Sequence, residues 1–306
     1  MAITFDPVTD ELMLKWTTKF NDMIELAQQQ TECLTQGMAN EASDTGVEKL
    51  TDDFVGQTAM REITTRGDEG ETDSPELSRR YTSFKDYHND IPIYELDRLR
   101  SLLDPSNAFA QVQAAAGNRL KDKTFIDGLT ATVISGRNGD GTKTFPAGQY
   151  IAHGSAGMTF EKVLQAQEML KRRGMLNGEQ RAWFIWNTTA EMDFMQELEV
   201  ISSDYSSQAV LDNGRVRKWG CFDFTRIEGL YDEQGDGTVI ERMLPYTLDG
   251  VSSGIDERIA FAIAPGAMKR WIPRALKSEI VPERRKRRGV LQTDMSVGVS
   301  RRSEYR

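Results

Sequence analysis

The chain has 306 residues, of which 39% are hydrophobic and 28% charged, and its formal net charge at pH 7 is −9. A mean hydropathy of −0.52 and the lack of a long apolar run exclude a membrane-spanning helix, which needs about 18 apolar residues. The first residues lack both the basic and the apolar segment of a secretory signal. Cys33 and Cys221 stand alone in the sequence, so we expect buried, reduced thiols in a cytosolic product.

Charge is distributed unevenly along the chain. Residues 1–104 carry 10 basic and 22 acidic side chains, whereas residues 269–306 carry 12 basic and 4 acidic ones. The densest basic run is Arg284, Arg285, Lys286, Arg287 and Arg288. Such a run is typical of a solvated turn between strands, of a contact with an acidic neighbouring chain, or of a contact with nucleic acid. Base-specific DNA recognition is disfavoured because the rest of the chain is acidic.

The first hundred residues predict a helix, a linker and a two-stranded arm. Asp6 and Pro7 are suited to begin an amphipathic helix of about six turns, and the small polar residues 35–46 predict a linker. Strands are predicted over 47–57 and 80–93. The polar residues 58–79 between them offer little to anchor them to their own core, so we expect a protruding arm that something else binds.

A long helix is predicted after the arm. Asp104 is suited to cap it and Pro105 to occupy its first turn, and the apolar face comprises Phe109, Val112, Ala116, Leu120 and Ile126. Gly128 is a plausible stop, and Gly117 within the helix predicts a bend or a close crossing.

The rest of the chain predicts a mixed α+β body. A glycine-rich turn region over 136–148 precedes a helix capped by Thr159 and stopped by Gly174, and Thr188 with Glu191 predicts a capping box for a further short helix. Strands are predicted over 182–186, 218–227, 237–244 and 258–264, with a turn at 232–237. A short helix over 265–271 and two or three closing strands complete the chain.

Enzyme motifs find little support in this sequence. Residues 250–254 spell G-x-S-x-G, but His88 and His153 both precede this serine, whereas such hydrolases place the base histidine after it. The segment 136–144 approximates a phosphate-binding loop, yet a threonine separates its glycine from Lys143. The two histidines and two cysteines form no recognisable metal spacing. The sequence therefore predicts no catalytic residues, no cofactor and no metal.

The order of elements resembles that of the Hong Kong 97-type major capsid proteins of tailed bacteriophages. The fragments that carry the resemblance are Asp52-Asp53-Phe54-Val55-Gly56, Arg66, Thr72-Asp73-Ser74-Pro75, Arg80-Tyr81, Asp86-Tyr87, Ile91, Glu95-Leu96-Asp97-Arg98, Leu103-Asp104-Pro105, Arg119 and Asp122. Residues 183–195 and 214–227 are also similar to the coat body. The likeness covers most of residues 45–306 and depends on the order and spacing of fragments that are weak individually.

This resemblance implies a division of the chain into five parts. They are an N-terminal arm (1–45), an extended loop (46–92), a peripheral domain (93–158) with its spine helix (105–128), an axial domain (159–265) and a C-terminal return to the peripheral domain (266–306). The implied inter-subunit contacts are Arg61, Glu62, Arg66, Arg79, Arg80, Arg284, Arg285, Lys286, Arg287 and Arg288. Residues 58–79 contain no lysine, so the covalent cross-link that some members form is not expected.

The function implied by the resemblance is an icosahedral head that encloses double-stranded DNA. Its expected partners are further copies of the chain in pentamers and hexamers, a separate scaffolding protein, a portal protein, a possible decoration protein and the packaged DNA, with no membrane. The protein would assemble in the host cytoplasm and reside in the virion. An encapsulin-like shell and a nucleotide-binding module that uses residues 136–148 remain the alternatives.

Overall fold

The computed structural model describes most of the chain from residue 30 onward. The described residues are 30–56, 58–60, 62, 74–94, 106–152, 154, 156–172, 174–176, 180–197, 211–212, 215–231, 239–242, 244, 258–286 and 288–302. The predicted helix that begins at Asp6 and Pro7, the cap at Asp104 and Pro105, and the turn at 232–237 lie outside them.

Helices and strands alternate irregularly in these residues. The helices are α1 (Ser106–Thr130), α2 (Phe160–Arg172) and α3 (Thr188–Gln196). The strands are β1 (Ala39–Ala42), β2 (Lys49–Val55), β3 (Leu77–Ser83), β4 (Lys85–Tyr94), β5 (Val133–Ser135), β6 (Gly141–Lys143), β7 (Ala182–Trp186), β8 (Leu211–Asp212), β9 (Arg215–Val216), β10 (Lys218–Trp219), β11 (Phe222–Arg226), β12 (Gly229–Tyr231), β13 (Val239–Arg242), β14 (Phe261–Ile263), β15 (Met268–Glu283) and β16 (Arg288–Arg301). None of the helices in the described part of the chain is long and apolar enough to cross a membrane.

The longest strand pairing joins the two C-terminal strands, in agreement with the predicted closing strands. Strands β15 and β16 form an antiparallel hairpin from Met268 opposite Arg301 to Glu283 opposite Arg288. β1 joins the outer edge of β15 in parallel, and β4 joins the outer edge of β16 in antiparallel fashion. The register shifts between Trp271 and Arg274, where Pro273 has no N–H for the ladder.

Helix α1 lies against this hairpin, and glycine allows the close approach. A Cβ on Gly117 would lie 2.7 Å from Leu276 Cδ1, and one on Gly128 would lie 2.9 Å from Val299 Cγ1. The close crossing predicted at Gly117 is thus confirmed, whereas Gly128 does not end the helix, which continues to Thr130.

The buried face of α1 differs from the predicted apolar face. Of the five predicted residues, Ile126 is buried, while Phe109, Val112, Ala116 and Leu120 are partly exposed. The buried face carries Gln113 and Asp122, which are 1% and 0% exposed, besides the apolar Ala115, Phe125, Ile126 and Leu129. Periodicity finds apolar positions and therefore missed these two polar side chains, which are buried because they are hydrogen-bonded.

A second sheet separates two apolar cores. Its strands follow the order β10-β11-β7-β14, with β11 parallel and β14 antiparallel to β7. Alternation along β7 directs Ile185 into a core with Phe125 and Ile126 of α1, while Phe184 and Trp186 enter a core with α2 and α3. The buried strand predicted over 182–186 is confirmed.

Several predicted boundaries are wrong because backbone geometry overrides the apolar pattern. The strand predicted over 80–93 breaks at Phe84 and enters two different sheets, and the one predicted over 218–227 reverses at Gly220, whose φ is +57°. The predicted linker 35–46 contains β1. Residues 265–271 form a turn and the start of β15 rather than a helix, because Gly266 adopts a φ of +68° and breaks the helical path.

The predicted helix ends in the body are partly confirmed. Thr159 Oγ1 accepts from Lys162 N–H at 3.4 Å, and Gly174 at a φ of +66° ends α2. The capping box is wrong by one residue: Asn187 caps α3 by accepting from Ala190 N–H at 3.0 Å. Glu191 instead faces inward, where its carboxylate accepts from Val216 N–H at 3.2 Å.

We expect Gly298→Ala to destabilise the subunit, because its Cβ would lie 2.1 Å from the backbone oxygen of Ser83. The loss should be about 2 to 3 kcal/mol of unfolding free energy, measured by urea denaturation of unassembled subunits. Gly148→Ala is the control, since its Cβ would meet nothing within 4 Å. Equal stability of the two variants would show that β16 and the end of β3 are not tightly packed.

Candidate inter-subunit interface

The predicted arm is a two-stranded ladder. Strands β2 and β3 pair in antiparallel register from Lys49 opposite Ser83 to Val55 opposite Leu77. On this ladder Arg79 faces Asp53, and Arg79 Nε donates to Asp53 Oδ1 at 2.5 Å. This hydrogen bond lowers the pKa of Asp53 and raises that of Arg79. The pair is exposed, so it orders the ladder locally without forming a core.

The far end of the arm exposes apolar side chains. Val55 and Leu77 lie opposite each other and are 66% and 76% exposed, and Met60 is fully exposed. Apolar side chains on a protruding ladder lose contact with water when another surface covers them. The arm of this single chain therefore presents uncovered apolar area at its end.

The base of the arm, in contrast, is firmly attached to the open end of the β15–β16 hairpin. Asp52 accepts from Lys269 Nζ at 2.6 Å and lies 3.6 Å from Arg302 Nε, with both acid and lysine mostly buried. The Arg302 guanidinium also lies 5.5 Å from the centre of the Phe54 ring. Thr82 and Ser300 share a further hydrogen bond between their hydroxyl groups. The arm consequently projects from a rigid base.

A strap formed by residues 30–35 is held to α1 by one buried carboxylate. Asp122 accepts from the backbone N–H groups of Leu34 at 3.0 Å and Thr35 at 2.9 Å, and from Thr35 Oγ1 at 2.7 Å. Cys33 Sγ lies 3.1 Å from Asp122 Oδ1, and burial together with this carboxylate raises the pKa of the thiol. A carboxylate that accepts several N–H and O–H bonds is satisfied although it is buried.

Arg270 of β15 completes the attachment of the strap. Its side chain is 1% exposed and donates to Thr35 Oγ1, and Nη1 donates to Glu41 Oε1 at 3.3 Å. The guanidinium also lies 5.5 Å from the centre of the Phe125 ring. The strap is thus bound to both the long helix and the long hairpin.

The basic run forms the tip of the β15–β16 hairpin, which agrees with the predicted turn between two strands. A 3-10 turn over Arg284–Lys286 connects the strands. Glu283 lies 3.2 Å from Lys286 Nζ and accepts from Arg288 Nε at 2.7 Å, and these hydrogen bonds lower its pKa. Arg288 also lies 5.8 Å from the centre of the Tyr94 ring. We call Glu283–Lys286 and Arg288 the basic tip.

The glycine-rich segment forms a short surface hairpin. Strands β5 and β6 pair from Val133 opposite Lys143 to Ser135 opposite Gly141 and extend the sheet of the arm beside β3. Tyr81 of β3 closes the turn by donating its hydroxyl to the backbone oxygen of Arg137 at 2.7 Å. The turn of this hairpin therefore accounts for the glycines, and a phosphate-binding loop is not needed to explain them.

A family model described as phage capsid protein matches residues 13–304. The chain belongs to the phage capsid protein family. No curated protein sequence matches the chain.

Solved capsid structures share the fold of this capsid protein. The capsid structure of Helicobacter pylori bacteriophage KHP30 is similar with a TM-score of 0.70 at 12% identity, and the match covers 98% of this chain and 92% of that one. Cyanophage P-SCSP1u gives 0.65 at 13%, with 94% and 90% covered, and Mycobacterium phage Che8 gives 0.63 at 14%, with 94% of each chain covered. The predicted α+β Hong Kong 97-type fold is confirmed.

The structure places the predicted contact residues of the capsid protein in two separate groups. On the arm, Glu62 is exposed, Arg79 is paired with Asp53, and Arg80 is 6% exposed within the sheet and has little surface for a partner. Arg284, Arg285, Lys286 and Arg288 form the basic tip. Arg61, Arg66 and Arg287 lie outside the described residues. Their contacts with another subunit stay a prediction.

Sequence reasoning overlooked the apolar members of the arm and the buried acid of the strap in this capsid protein. Val55, Met60 and Leu77 are large apolar residues in a mostly polar stretch, and this was the available signal. Asp122 is one of the residues that carry the family resemblance, but nothing in a single sequence marks it as buried.

Both cysteines are free and half-buried rather than fully buried. In the described residues, no three His, Cys, Asp or Glu side chains converge as a metal site would require.

We expect Asp122→Asn to loosen the strap of the capsid protein. The new amide would turn a donor toward one of the N–H groups of Leu34 and Thr35, at a cost of about 3 kcal/mol in unfolding free energy. Urea denaturation of unassembled subunits measures it, and the exposed Glu32→Gln is the control with the same change of charge. Equal unfolding midpoints for Asp122→Asn and the wild type would contradict the role of Asp122.

Proposed function

We propose that this capsid protein is the major subunit of an icosahedral head that encloses the double-stranded DNA of a tailed phage. The family and the fold support a shell subunit. The observation that carries the proposal furthest is the arm, whose base is fixed by Asp52 while Val55, Met60 and Leu77 remain exposed beyond it. A neighbouring copy would cover these side chains and supply the core that the arm lacks.

The elements support the proposed division of the subunit. The sheet of β7 with α2 and α3 would be the axial domain over residues 159–265, and α1 would be the spine of the peripheral domain over 93–158. Residues 266–306 would return to this spine, because β15 and β16 contact α1 and β16 pairs with β4. Residues 46–92 supply the extended loop and residues 1–45 the N-terminal arm. Residues 131–143 add β5 and β6 to the base of the extended loop.

The proposed partners follow from a shell. Copies of the chain would form its pentamers and hexamers, and a separate scaffolding protein, a portal and a possible decoration protein would complete the head. The DNA would be held by non-specific contacts, and assembly would take place in the host cytoplasm. A purely structural role without catalysis agrees with the family, which also favours a phage head over an encapsulin-like compartment.

The test is electron microscopy and light scattering of the purified protein, alone and with the proteins encoded beside it. Closed icosahedral particles are expected. A chain that remains monomeric under all these conditions would overturn the proposal.

We expect Leu77→Ser to block assembly while leaving the subunit stable. Leu77 is 76% exposed, so its loss should change the unfolding free energy by less than about 0.5 kcal/mol. Particle yield is measured by sedimentation. Leu164→Ser on α2 is the control because that leucine is also an exposed apolar side chain, away from the arm. Normal particles from Leu77→Ser would mean that no neighbour covers the end of the arm.

A further inference from the structure

One side of α1 carries apolar side chains that are only partly covered. They are Phe109, Val112, Ala116 and Leu120. Their spacing of three or four residues places them in a row along the helix, which we call the α1 stripe. The helix meets the hairpin elsewhere, through Gln113, Gly117 and Gly128. An apolar face that covered the α1 stripe would remove it from water and stabilise the subunit.

The strap fixes the point at which the N-terminal segment reaches α1. Arg119 Nη1 donates to the backbone oxygen of Gln30 at 3.2 Å, and Asn118 Nδ2 donates to that of Thr31 at 2.8 Å. Backbone N–H groups later in the strap bond to Asp122, one turn further along the helix. The strap thus runs in the direction of α1, and the segment before Gln30 is tethered at Arg119, beside the α1 stripe.

The segment before the strap has an apolar face of suitable length. Its apolar residues at helical spacing are Leu12, Trp16, Phe20, Met23, Ile24 and Ala27. At about 1.5 Å per residue, this face would be about 22 Å long, and the α1 stripe is about 16 Å long. A single helix of this length is only marginally stable in water, so it requires an apolar partner.

Charge favours the same pairing. Asp22 and Glu25 lie close in sequence to the tether, and Arg119 and Lys123 lie beside the α1 stripe at its tethered end. A helix that approached from the tether would bring these acidic residues toward the two cations. Complementary charge beside an apolar contact favours one orientation of the helix over the reverse.

We propose that residues 7–29 form an amphipathic helix that packs on the α1 stripe of the same copy, with the strap as its tether. The helix covers an apolar face of α1 and keeps it from water and from other copies. The contact lies within one subunit and is independent of assembly.

Trypsin cleavage of unassembled full-length subunits tests the contact. Lys19 lies within the segment, and cleavage after it requires the helix to open, so docking slows the reaction. Ile24→Ser removes an apolar side chain from the binding face and should speed this cleavage by about tenfold or more. Leu14→Ser is the control, because Leu14 lies on the opposite side of the predicted helix. Mass spectrometry of the released peptide measures the rate.

Variants of α1 test the α1 stripe from its own side. Val112→Glu places a charge on the stripe and should speed cleavage after Lys19 to a similar extent. Gln111→Glu adds the same charge at an exposed position on a different side of α1 and should leave the rate unchanged. Slow cleavage after Lys171 of α2 shows that the body of a variant is folded, and Val112→Ser is the milder substitution if the glutamate prevents folding.

Each result decides for or against the contact. Wild-type cleavage after Lys19 as fast as that of Ile24→Ser would overturn it, because the segment would then be undocked. Equal rates for folded Val112 variants and Gln111→Glu would also overturn it, because the segment would bind another surface. Protection of Lys19 that grows with subunit concentration would contradict the contact within one copy, since a second copy would then supply the stripe.

Discussion

The antiparallel pairing of β15 with β16 is the constraint on which the rest of the subunit depends. This hairpin carries β1 on one edge and β4 on the other, and α1 packs on it through glycine contacts. Its open end holds the base of the arm through Asp52, and its closed end presents the basic tip. The hairpin therefore sets the distance between the base of the arm and the basic tip.

Buried polar side chains act together with apolar contacts to determine how α1 sits on this hairpin. Gln113 Nε2 donates to the backbone oxygens of Asn89 and Leu291, both at 3.0 Å, and so bridges β4 and β16. Asp122 and Arg270 hold the strap in the same way. Such groups are costly to bury unless each is hydrogen-bonded. Any other register of helix, hairpin and strap would leave some of them unpaired and would therefore be less stable.

Exposure of the arm is consistent with a subunit that completes its structure by assembly. The charged residues at the base of the arm have partners within the chain, as the mostly buried ion pair of Asp52 and Lys269 shows. Val55 and Leu77 at its end are not covered. The basic tip shows the same contrast: Glu283 neutralises part of its charge, whereas Arg284 and Arg285 are exposed.

The sequence by itself determined the local elements and, through their order, the family. Helix α2 with Thr159 and Gly174, the strand over Ala182–Trp186 and the hairpin at Gly136 follow from caps, β-branched or aromatic runs and glycine turns, which depend on near neighbours. The tertiary structure alone decided that Phe84 divides one apolar stretch between two sheets, that residues 39–42 join β15, and that Gln113 and Asp122 are buried. These features depend on partners such as Leu291 and Thr35, which are distant along the chain, and periodicity along one segment carries no information about them.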